Sequence, residues 1–319
     1  MKRIGVLTSG GDAPGMNAAI RAVVRQALSM GMEVYGIKRG YEGLLEGDIH
    51  KMDWRSVGDI LQRGGTILRT ARSERFKTEE GVNHAVDILK TFEIEGLIVI
   101  GGDGSLKGAL ELSKRGITVM GLPGTIDNDL GYTDYTIGFD TTLNTILDLI
   151  SKIRDTSSSH DRTSIIEIMG RRCGDLALYA GLAGGADSIL VPEVEPDVNA
   201  VCRHVLQGHE EGKLHNIILK AEGVDIPTQE LADIIQSITG KEARVVIPGH
   251  IQRGGTPTGN DRILAAMTGA KAVKLLYDDE PSKAIGICEG EIVAIDLEEA
   301  LQLKRDFNMD MYNLVNTLS

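Results

Sequence analysis

The sequence predicts an α/β fold with mainly parallel sheets, and two observations support that prediction. A unit made of a short β-rich run, a glycine-rich loop and a helical pattern recurs along the chain, which is the order of βαβ units. Glycine is unusually common, at 39 of 319 residues, and glycine-rich loops let backbone approach a ligand closely. A chain of this length suits two domains of ordinary size or one large α/β unit.

The composition is that of a soluble globular enzyme. Apolar residues make up 42% of the chain and charged residues 25%. The formal net charge of −12 argues against nucleic-acid binding through the overall field of the protein, while a local basic pocket for a small anion stays open. Three sparse cysteines, no signal peptide and no long apolar run together predict a cytoplasmic protein without a membrane span.

The first unit sets the pattern for the others. A strand is predicted over residues 3–8, a loop over 9–16 and a helix over 17–30. Within that helix the apolar residues follow the spacing of a buried stripe; they are Ile20, Val23, Val24, Ala27 and Leu28. The strand and helix are long enough, and regular enough, to predict a βα unit that begins almost at the first residue.

Later units repeat this order. Strands are predicted over residues 96–100, 119–122, 165–169, 188–191, 216–219, 244–247 and 284–287, and helices over 106–114, 141–154 and 176–183. The helix over 141–154 is the longest pattern, and we place the first domain boundary near residue 138. Because ligands bind beyond the carboxyl ends of strands in parallel sheets, we expect the glycine-rich loops to gather there.

The first two glycine-rich loops favour phosphate binding. In SGGDAPGMN (residues 9–17) glycines let backbone N–H groups converge beside a helix N-terminus, although no GxxxxGK[ST] motif is present. The alternative is a tight turn that ends in an N-cap at Asn17. In GGDGS, Asp103 is suited to holding Mg²⁺ beside a phosphate chain, or to capping the next helix.

The third and fourth loops supply groups for proton transfer and charge stabilisation. In PGTIDND, Asp127 and Asp129 project the same way if the backbone is extended, and Thr125 adds a hydroxyl. One carboxylate can accept a proton from an attacking hydroxyl and the other can support a metal. In MGRRCGD, Arg171 suits a transferring phosphoryl group. The alternatives are a solvated Asx turn and surface salt bridges.

The ordered motifs carry a family resemblance. SGGDAPGMN, IGGDGS, PGTIDND, MGRRCGD, AEG and GHIQRGGTPT occur in the order and spacing of the bacterial ATP-dependent 6-phosphofructokinases, and the sequence resembles that family over essentially its whole length. The resemblance implies two Rossmann-like three-layer α/β/α lobes with the active site in the cleft between them. It assigns residues 1–138 plus 251–305 to an ATP-binding lobe, and 139–250 plus 306–319 to a fructose-6-phosphate-binding lobe.

The resemblance also implies a reaction and its residues. The γ-phosphoryl group of ATP passes to the 1-hydroxyl of fructose 6-phosphate with Mg²⁺, in an allosterically regulated cytoplasmic homotetramer. Asp127 is expected to be the base, while Arg171, Thr125 and the backbone at Gly11 stabilise the transferring group and Asp103 and Asp129 hold the metal. The implied ATP site comprises Gly11, Tyr41, Arg72, Ser73, Phe76, Lys77, Gly102, Asp103, Gly104, Ser105 and Gly108.

The remaining implied sites take a sugar phosphate and an effector. The implied substrate residues are Thr125, Asp127, Arg162, Met169, Gly170, Arg171, Glu222, Arg244, His250 and Arg253, with Arg162 and Arg244 reaching the site of a neighbouring subunit. The implied effector site, for an ADP or GDP activator or phosphoenolpyruvate as inhibitor, comprises Arg21, Arg25, Asp59, Arg154, Gly185, Asp187 and Lys213. Glu211, Leu214 and Asp187 depart from the family pattern, so we expect weakened or altered regulation.

Three alternatives stay open at this point: a pyrophosphate-dependent enzyme, a kinase for another sugar phosphate and a non-catalytic nucleotide-binding regulator. Pyrophosphate-dependent relatives carry Asp at the position of Gly104 and Lys at that of Gly124, so glycine at both favours ATP. A kinase for another sugar phosphate shares the same motifs. A non-catalytic nucleotide-binding regulator is disfavoured because Asp103, Asp127 and Arg171 are all present.

Overall fold

A computed structural model describes residues 1–318, and its chain divides into two compact units. The first comprises residues 1–126, 130–141 and 253–305, and the second comprises 127–129, 142–252 and the remainder from Asp306 onward. The sequence placed the divisions after residues 138 and 250. In the structure they fall after Thr141 and after Gln252, and the short segment 127–129 groups with the second unit.

The elements of the chain run in a regular alternation up to the end of the second unit. In order they are β1 (Arg3–Thr8), α1 (Met16–Ser29), β2 (Glu33–Ile37), α2 (Gly40–Glu46), β3 (Ile49–Met52), α3 (Glu79–Thr91), β4 (Gly96–Gly101), α4 (Asp103–Ser113), β5 (Thr118–Pro123), α5 (Phe139–Ser158), β6 (Thr163–Ile168), α6 (Asp175–Gly184), β7 (Ser188–Leu190), α7 (Val198–Glu210), β8 (Asn216–Ala221), α8 (Thr228–Thr239) and β9 (Ala243–Val246). The chain then returns to the first unit with α9 (Gly259–Tyr277), β10 (Lys283–Cys288), β11 (Glu291–Asp296) and α10 (Leu297–Gln302), and α11 (Met309–Leu318) lies in the second.

The first unit is built on a seven-stranded sheet. Its strand order is β11-β10-β5-β4-β1-β2-β3, with antiparallel pairing only between β10 and β11 and between β2 and β3. The strands β5, β4 and β1 are neighbours and parallel, so the loops that follow them emerge at one edge. The predicted gathering of glycine-rich loops is therefore confirmed for the loops after Thr8, Gly101 and Pro123.

The second unit has a four-stranded parallel sheet in the order β7-β8-β6-β9. The segments that follow β6 and β8 carry Arg171 and Glu222, and they leave the sheet at the same edge. The mixed α/β fold with mainly parallel sheets is thus the one that the sequence predicts.

Continuous apolar runs explain why these strands lie inside. Every residue of β4 (GLIVIG) and of β8 (NIILKA) is buried, as expected for strands covered by helices on both faces. In the first unit, α4 packs Leu106, Ala109 and Leu112 into the same core cluster as Val99 of β4. Among residues 1–318 no helix has the length and apolar character needed to cross a bilayer.

The start of α1 corrects one sequence-based alternative. Gly15, with φ of 107°, occupies the N-cap position, so Asn17 is not the cap. The Asn17 side chain instead donates from Nδ2 to the carbonyl of Arg63 at 3.1 Å and accepts from the backbone N–H of Ile67 at 2.7 Å. A carboxamide can both donate and accept, and here it ties an irregular loop to the helix.

Candidate active site

Two of the predicted catalytic residues, Asp127 and Arg171, form an ion pair in the second unit. Arg171 Nε is 3.2 Å from Asp127 Oδ2, and the side chains are 53% and 1% exposed respectively. A buried carboxylate normally has a charged or hydrogen-bonding partner, and this guanidinium provides one. The pair therefore presents a buried acid next to a cation that solvent, or a ligand, can still reach.

Left-handed backbone occurs at Arg171 itself and at Asn128, the residue after Asp127. Asn128 has φ of 52° and Arg171 has φ of 55°. The expectation that extended backbone makes Asp127 and Asp129 project the same way is therefore wrong, because the residue between them turns the chain. Non-glycine residues in this region cost free energy and persist only where their surroundings hold them, which makes them common at functional sites.

The turn that carries Arg171 is held by Glu222. Glu222 Oε1 accepts from the backbone N–H groups of Gly170, at 3.1 Å, and Arg171, at 2.8 Å. Glycine is needed at position 170, where φ is 140° and a Cβ atom would lie 2.4 Å from the carbonyl oxygen of Cys173. Glu222, expected to bind substrate hydroxyls, thus also fixes the backbone beneath the arginine.

The first phosphate-loop candidate lies under an arginine of the same unit. A Cβ atom at Gly11 would lie 2.5 Å from Nη1 of Arg253, and that nitrogen donates to the carbonyl of Asp12 at 3.2 Å. Arg253, expected at the sugar phosphate, therefore lies directly over the loop expected to bind nucleotide phosphate. Only glycine at position 11 permits that approach.

The GGDGS turn starts α4 and leaves space at Gly104. Gly102 occupies the N-cap without a side-chain cap, so Asp103 is not the capping residue; it lies in the first turn and pairs with Lys107 at 2.7 Å. A Cβ atom at Gly104 would meet nothing within 4 Å, whereas one at Gly124 would lie 2.8 Å from Ile100 Cγ2. Gly104 and Gly124, the two glycines expected to favour ATP over pyrophosphate, therefore differ. Gly104 borders open space, whereas Gly124 is packed against Ile100.

Thr125 is brought to the same turn. A Cβ atom at Gly102 would lie 3.3 Å from Thr125 Cβ, and Thr125 is 7% exposed.

Of residues 1–318, no three His, Cys, Asp or Glu side chains gather in a metal-binding arrangement. The metal expectation thus rests on single carboxylates, Asp103 in the first unit and Asp129 in the second.

An aromatic pair lies beside α4 in the predicted nucleotide site. The Tyr41 and Phe76 rings stack with centroids 3.9 Å apart, and Tyr41 Oη donates to the carbonyl of Ser105 at 2.6 Å. Burial raises the pKa of Tyr41, which keeps the hydroxyl protonated as a donor. A Cβ atom at Gly108 would lie 2.8 Å from the Tyr41 ring, so glycine there makes room for the pair.

Three further members of the predicted nucleotide site lie in the segment before α3. Arg72 and Lys77 are exposed, and Lys77 Nζ pairs with Glu74 at 2.7 Å. Ser73 Oγ accepts from the backbone N–H of Phe76 at 3.1 Å and donates to Glu42. This network lowers the pKa of Glu42, with the Ser73 hydrogen bond as the largest cause.

Glu242 brings Arg162 and Arg244 together. Arg162 Nε lies 2.6 Å from one Glu242 oxygen, and Arg244 pairs with the other. The hydrogen bond from Arg162 is the largest cause of the lowered pKa of Glu242. The sequence analysis did not identify Glu242, although it lies two residues before Arg244 and directly before β9, which pairs with the strand after Arg162, and this place was a usable signal.

Met169 and His250, two more of the predicted substrate residues, lie in different surroundings. The backbone N–H of Met169 donates to Oε1 of the buried Gln252 at 3.0 Å. His250 is exposed. Gln252 was also missed from the sequence, since a lone glutamine gives no signal for the backbone hydrogen bond that it accepts.

The predicted effector residues form separate groups in each unit. In the first unit the Arg25 guanidinium lies 5.8 Å above the ring of Trp54, and Asp59 has φ of 51°. In the second unit, Arg154 donates to the carbonyls of Gly184 at 2.6 Å and Gly185 at 2.8 Å. The structure gives no contact that brings Arg21 to Asp59.

A second carboxylate anchors the rest of the effector group. Lys213 pairs with Asp187, whose other oxygen accepts from the backbone N–H of Ile217 at 2.6 Å. Glu211 and Leu214 are exposed, and Glu211 accepts from Gln207 at 2.9 Å. The pKa of His215, a residue that the sequence analysis did not single out, is lowered chiefly by burial. The charge of Asp187 opposes this shift, and the smaller effects of Arg154 and Lys213 add to it.

Comparison with known proteins decides the family. Residues 3–276 match the phosphofructokinase family. The chain belongs to that family. Relatives named ATP-dependent 6-phosphofructokinase are 58% identical in Clostridium tetani and 59% identical in Clostridium botulinum, over 319 residues and 100% of both chains in each case.

Solved phosphofructokinase structures share the fold. The enzyme from Saccharomyces cerevisiae superposes with a TM-score of 0.93 at 35% identity, covering 99% of this chain and 50% of the yeast chain. The Pichia pastoris enzyme in its T-state gives 0.89 at 38% identity, covering 94% of this chain and 35% of that one. A pyrophosphate-dependent phosphofructokinase from Marinobacter aquaeolei, at 20% identity, covers 97% of this chain and 86% of its own and matches in fold with a TM-score of 0.87.

Proposed function

We propose that this protein is a glycolytic kinase that transfers the γ-phosphoryl group of ATP to the 1-hydroxyl of D-fructose 6-phosphate, giving fructose 1,6-bisphosphate and ADP. The observation that carries the proposal is the buried Asp127 carboxylate paired at 3.2 Å with the exposed Arg171 guanidinium. A base and a cation side by side are what phosphoryl transfer to an alcohol requires. Full-length relatives at 58–59% identity, named for this activity, support the same reaction.

In this proposal Asp127 takes the proton of the sugar hydroxyl as that oxygen attacks phosphorus. Arg171 stabilises the charge that develops on the transferring group, because its guanidinium matches phosphate oxygens and a large part of it faces outward. Thr125 and the backbone N–H of Gly11 are the further groups assigned to this task. Glu222 has a second role, since its oxygen already orders the N–H groups beneath Arg171.

Mg²⁺ fits the carboxylates present. This ion is usually held by one or two carboxylates together with phosphate oxygens and water, so a cluster of three protein ligands is not needed. Asp103 satisfies that requirement, because its side chain is 38% exposed and its partner Lys107 is a flexible surface residue. Asp103 and Asp129 would hold the ion, which when bound neutralises charge on the phosphate chain.

ATP rather than pyrophosphate is the proposed donor. Gly104 borders open space in the first turn of α4, which suits a triphosphate that continues past the β-phosphate. The aromatic pair of Tyr41 and Phe76 close to Gly108 suits a nucleotide, which pyrophosphate lacks. No observation favours another sugar phosphate or a non-catalytic role.

We further propose a cytoplasmic homotetramer in which Arg162 and Arg244 serve the sugar-phosphate site of a neighbouring subunit. Both arginines are already held together by Glu242, as a pair that binds one phosphate would be. The proposed effectors are ADP or GDP as activator and phosphoenolpyruvate as inhibitor. Cationic side chains at Arg21, Arg25, Arg154 and Lys213 support an anionic effector.

The test is the formation of fructose 1,6-bisphosphate and ADP by the purified chain with Mg²⁺. Product is expected from ATP and fructose 6-phosphate together, from neither alone, and not with pyrophosphate as donor. An Asp127→Ser variant should make far less product. Asp148→Ser, which alters an exposed carboxylate of α5, is its matched control and should retain wild-type activity. Activity with pyrophosphate and none with ATP would contradict the proposal.

A further inference from the structure

We infer that Asp175 and Asn128 are positioning residues, which together hold the Asp127 carboxylate against the Arg171 guanidinium. The inference rests on the proposed function, because it assigns Asp127 and Arg171 to the transfer step. It concerns how two loops, widely separated in sequence, are fixed to one helix start. All of the residues involved belong to the second unit.

The first contact joins the loop of Asp127 to α6. Asn128 Nδ2 donates to Asp175 Oδ2 at 2.9 Å, and the two side chains are 0% and 2% exposed. Asn128 directly follows Asp127 and has left-handed backbone, with φ of 52°. The hydrogen bond therefore acts on the residue next to Asp127, at the point where the left-handed backbone turns the chain.

The second contact is a hydrogen bond to the backbone carbonyl of Asn128. The Cys173 thiol lies 3.8 Å from the carbonyl oxygen of Asn128 and donates to it. Burial, and then the charge of Asp175, raise the pKa of Cys173 to about 12, so the thiol keeps the proton that it donates. Asn128 is thus held through both its side chain and its carbonyl by residues at the start of α6.

Arg171 lies in the turn that leads into α6, four residues before Asp175. The connecting turn is rigid, since Cys173 N–H donates to the carbonyl of Gly170 at 2.9 Å. Glu193 Oε1 accepts from the backbone N–H of Gly174 at 2.8 Å and fixes the turn from its other side. Asp175 therefore ends a segment whose other end is Arg171, and its bond to Asn128 brings Asp127 to that arginine.

This arrangement explains the two left-handed residues. Neither Asn128 nor Arg171 is a glycine, and such residues keep this conformation only when their surroundings determine it. The Asp175 carboxylate holds the first, and the Glu222 carboxylate, through the backbone N–H groups, holds the second. The ion pair depends on both supports, although neither carboxylate takes part in that pair.

The experiment exchanges the donor and the acceptor of the buried bond. Asn128→Asp places two carboxylates face to face and should lower kcat by roughly 10- to 100-fold, the effect of misplacing a catalytic group by about an ångström. The KM values for ATP and fructose 6-phosphate should change little. Adding Asp175→Asn restores a donor–acceptor pair with reversed direction, so the double variant should recover most of kcat.

A matched control separates positioning from stability. Asp197→Ala removes another Asp hydrogen bond, the one from the backbone N–H of Ala200 that caps α7. It also removes the ion pair of Asp197 with Arg203. It should lower the melting temperature while kcat stays at the wild-type value, which shows whether a loss of stability alone slows the reaction. Asp175→Ala should lower kcat as Asn128→Asp does; if it does not fold, the exchange pair carries the test.

Wild-type kcat in a folded Asn128→Asp variant would overturn the inference, and so would an exchange variant that folds but stays as slow as the single variant. Either result would leave the proposed function intact, because the wild-type chain would still make fructose 1,6-bisphosphate. A wild-type chain that makes none would overturn both.

Discussion

At the scale of single residues, the chemistry depends on where one carboxylate lies. Asp127 is 1% exposed, and its charge is balanced by a guanidinium at 3.2 Å. The sequence identified both residues from their motifs. It did not identify Asp175, because a single carboxylate in a chain with 46 acidic residues gives no signal until its partner is known.

Replacing Asp127 by Ser should lower kcat much more than it changes either KM. The base acts in the transition state, so its loss removes proton transfer, which is worth roughly 10²- to 10⁴-fold. Steady-state kinetics over both substrates measures the effect. A loss confined to KM would assign the base to another residue.

The cysteines should differ sharply in reactivity. Cys288 is exposed, while Cys173 and Cys202 are buried and burial raises the pKa of both. Since the thiolate is the reactive form, a disulfide reagent near pH 8 should label one thiol quickly in the folded protein and all three after unfolding. Cys288→Ser should abolish the fast phase without loss of activity.

The labelling of Cys173 should follow its pKa. Because burial raises that pKa, little thiolate forms at pH 8 and the labelling of Cys173 in folded protein should be slow there, with a rate that increases as the pH is raised. Fast labelling of more than one thiol at pH 8 would contradict the buried placement.

At the scale of elements, the spacing of apolar residues in the sequence identified the long helices and the buried strands. The stripe of α1 and the apolar runs of β4 and β6 gave those elements to within a few residues. The antiparallel edge strands β3 and β11 were missed. Strand β3 has only four residues, and in β11 no residue is fully buried, so neither forms the continuous buried run that marks a central strand. An Asx turn was an open alternative in the loop of Asn128, but the left-handed backbone there was not predicted, since asparagine alone does not reveal positive φ.

Substitutions at Gly104, in the first turn of α4, and at Gly124, directly after β5, should have different consequences. Gly104→Asp should fold normally, because a Cβ atom there meets nothing within 4 Å. Its charge should raise the KM for ATP by about tenfold, which corresponds to roughly 1.4 kcal/mol of repulsion from phosphate.

Gly124→Ala should instead lower the free energy of unfolding by about 1–3 kcal/mol, because its Cβ atom overpacks the core. That atom would lie 2.8 Å from Ile100 Cγ2. Thermal melting and ATP titration compare the two variants. A stable Gly124→Ala variant, or an unchanged KM for ATP in Gly104→Asp, would show that the local packing differs from that described.

At the scale of the whole molecule, the family and its fold were predicted correctly because the ordered motifs span the chain. Regulation is less accessible, since it depends on side chains that vary. In the second unit Lys213 is paired with Asp187, and Glu211 is an exposed negative charge nearby in sequence. A free anion would have to compete with these carboxylates for the cations.

We therefore expect weak inhibition by phosphoenolpyruvate. Glu211→Lys should lower the concentration that halves activity, because it exchanges repulsion of the effector for attraction. Glu230→Lys, which makes the same change of charge at an exposed position of α8, is the control and should leave inhibition as it is. Strong inhibition of the wild type at micromolar phosphoenolpyruvate, abolished by Arg154→Ala, would show that the effector site works normally despite its departures.

The most direct test of the account follows the phosphorus atom itself. With ATP labelled in its γ-phosphoryl group, fructose 6-phosphate and Mg²⁺, the label is expected on the 1-oxygen of the sugar, with one ADP formed for each sugar bisphosphate. Label released only as inorganic phosphate, or none transferred while unlabelled pyrophosphate serves as donor, would contradict the central claim.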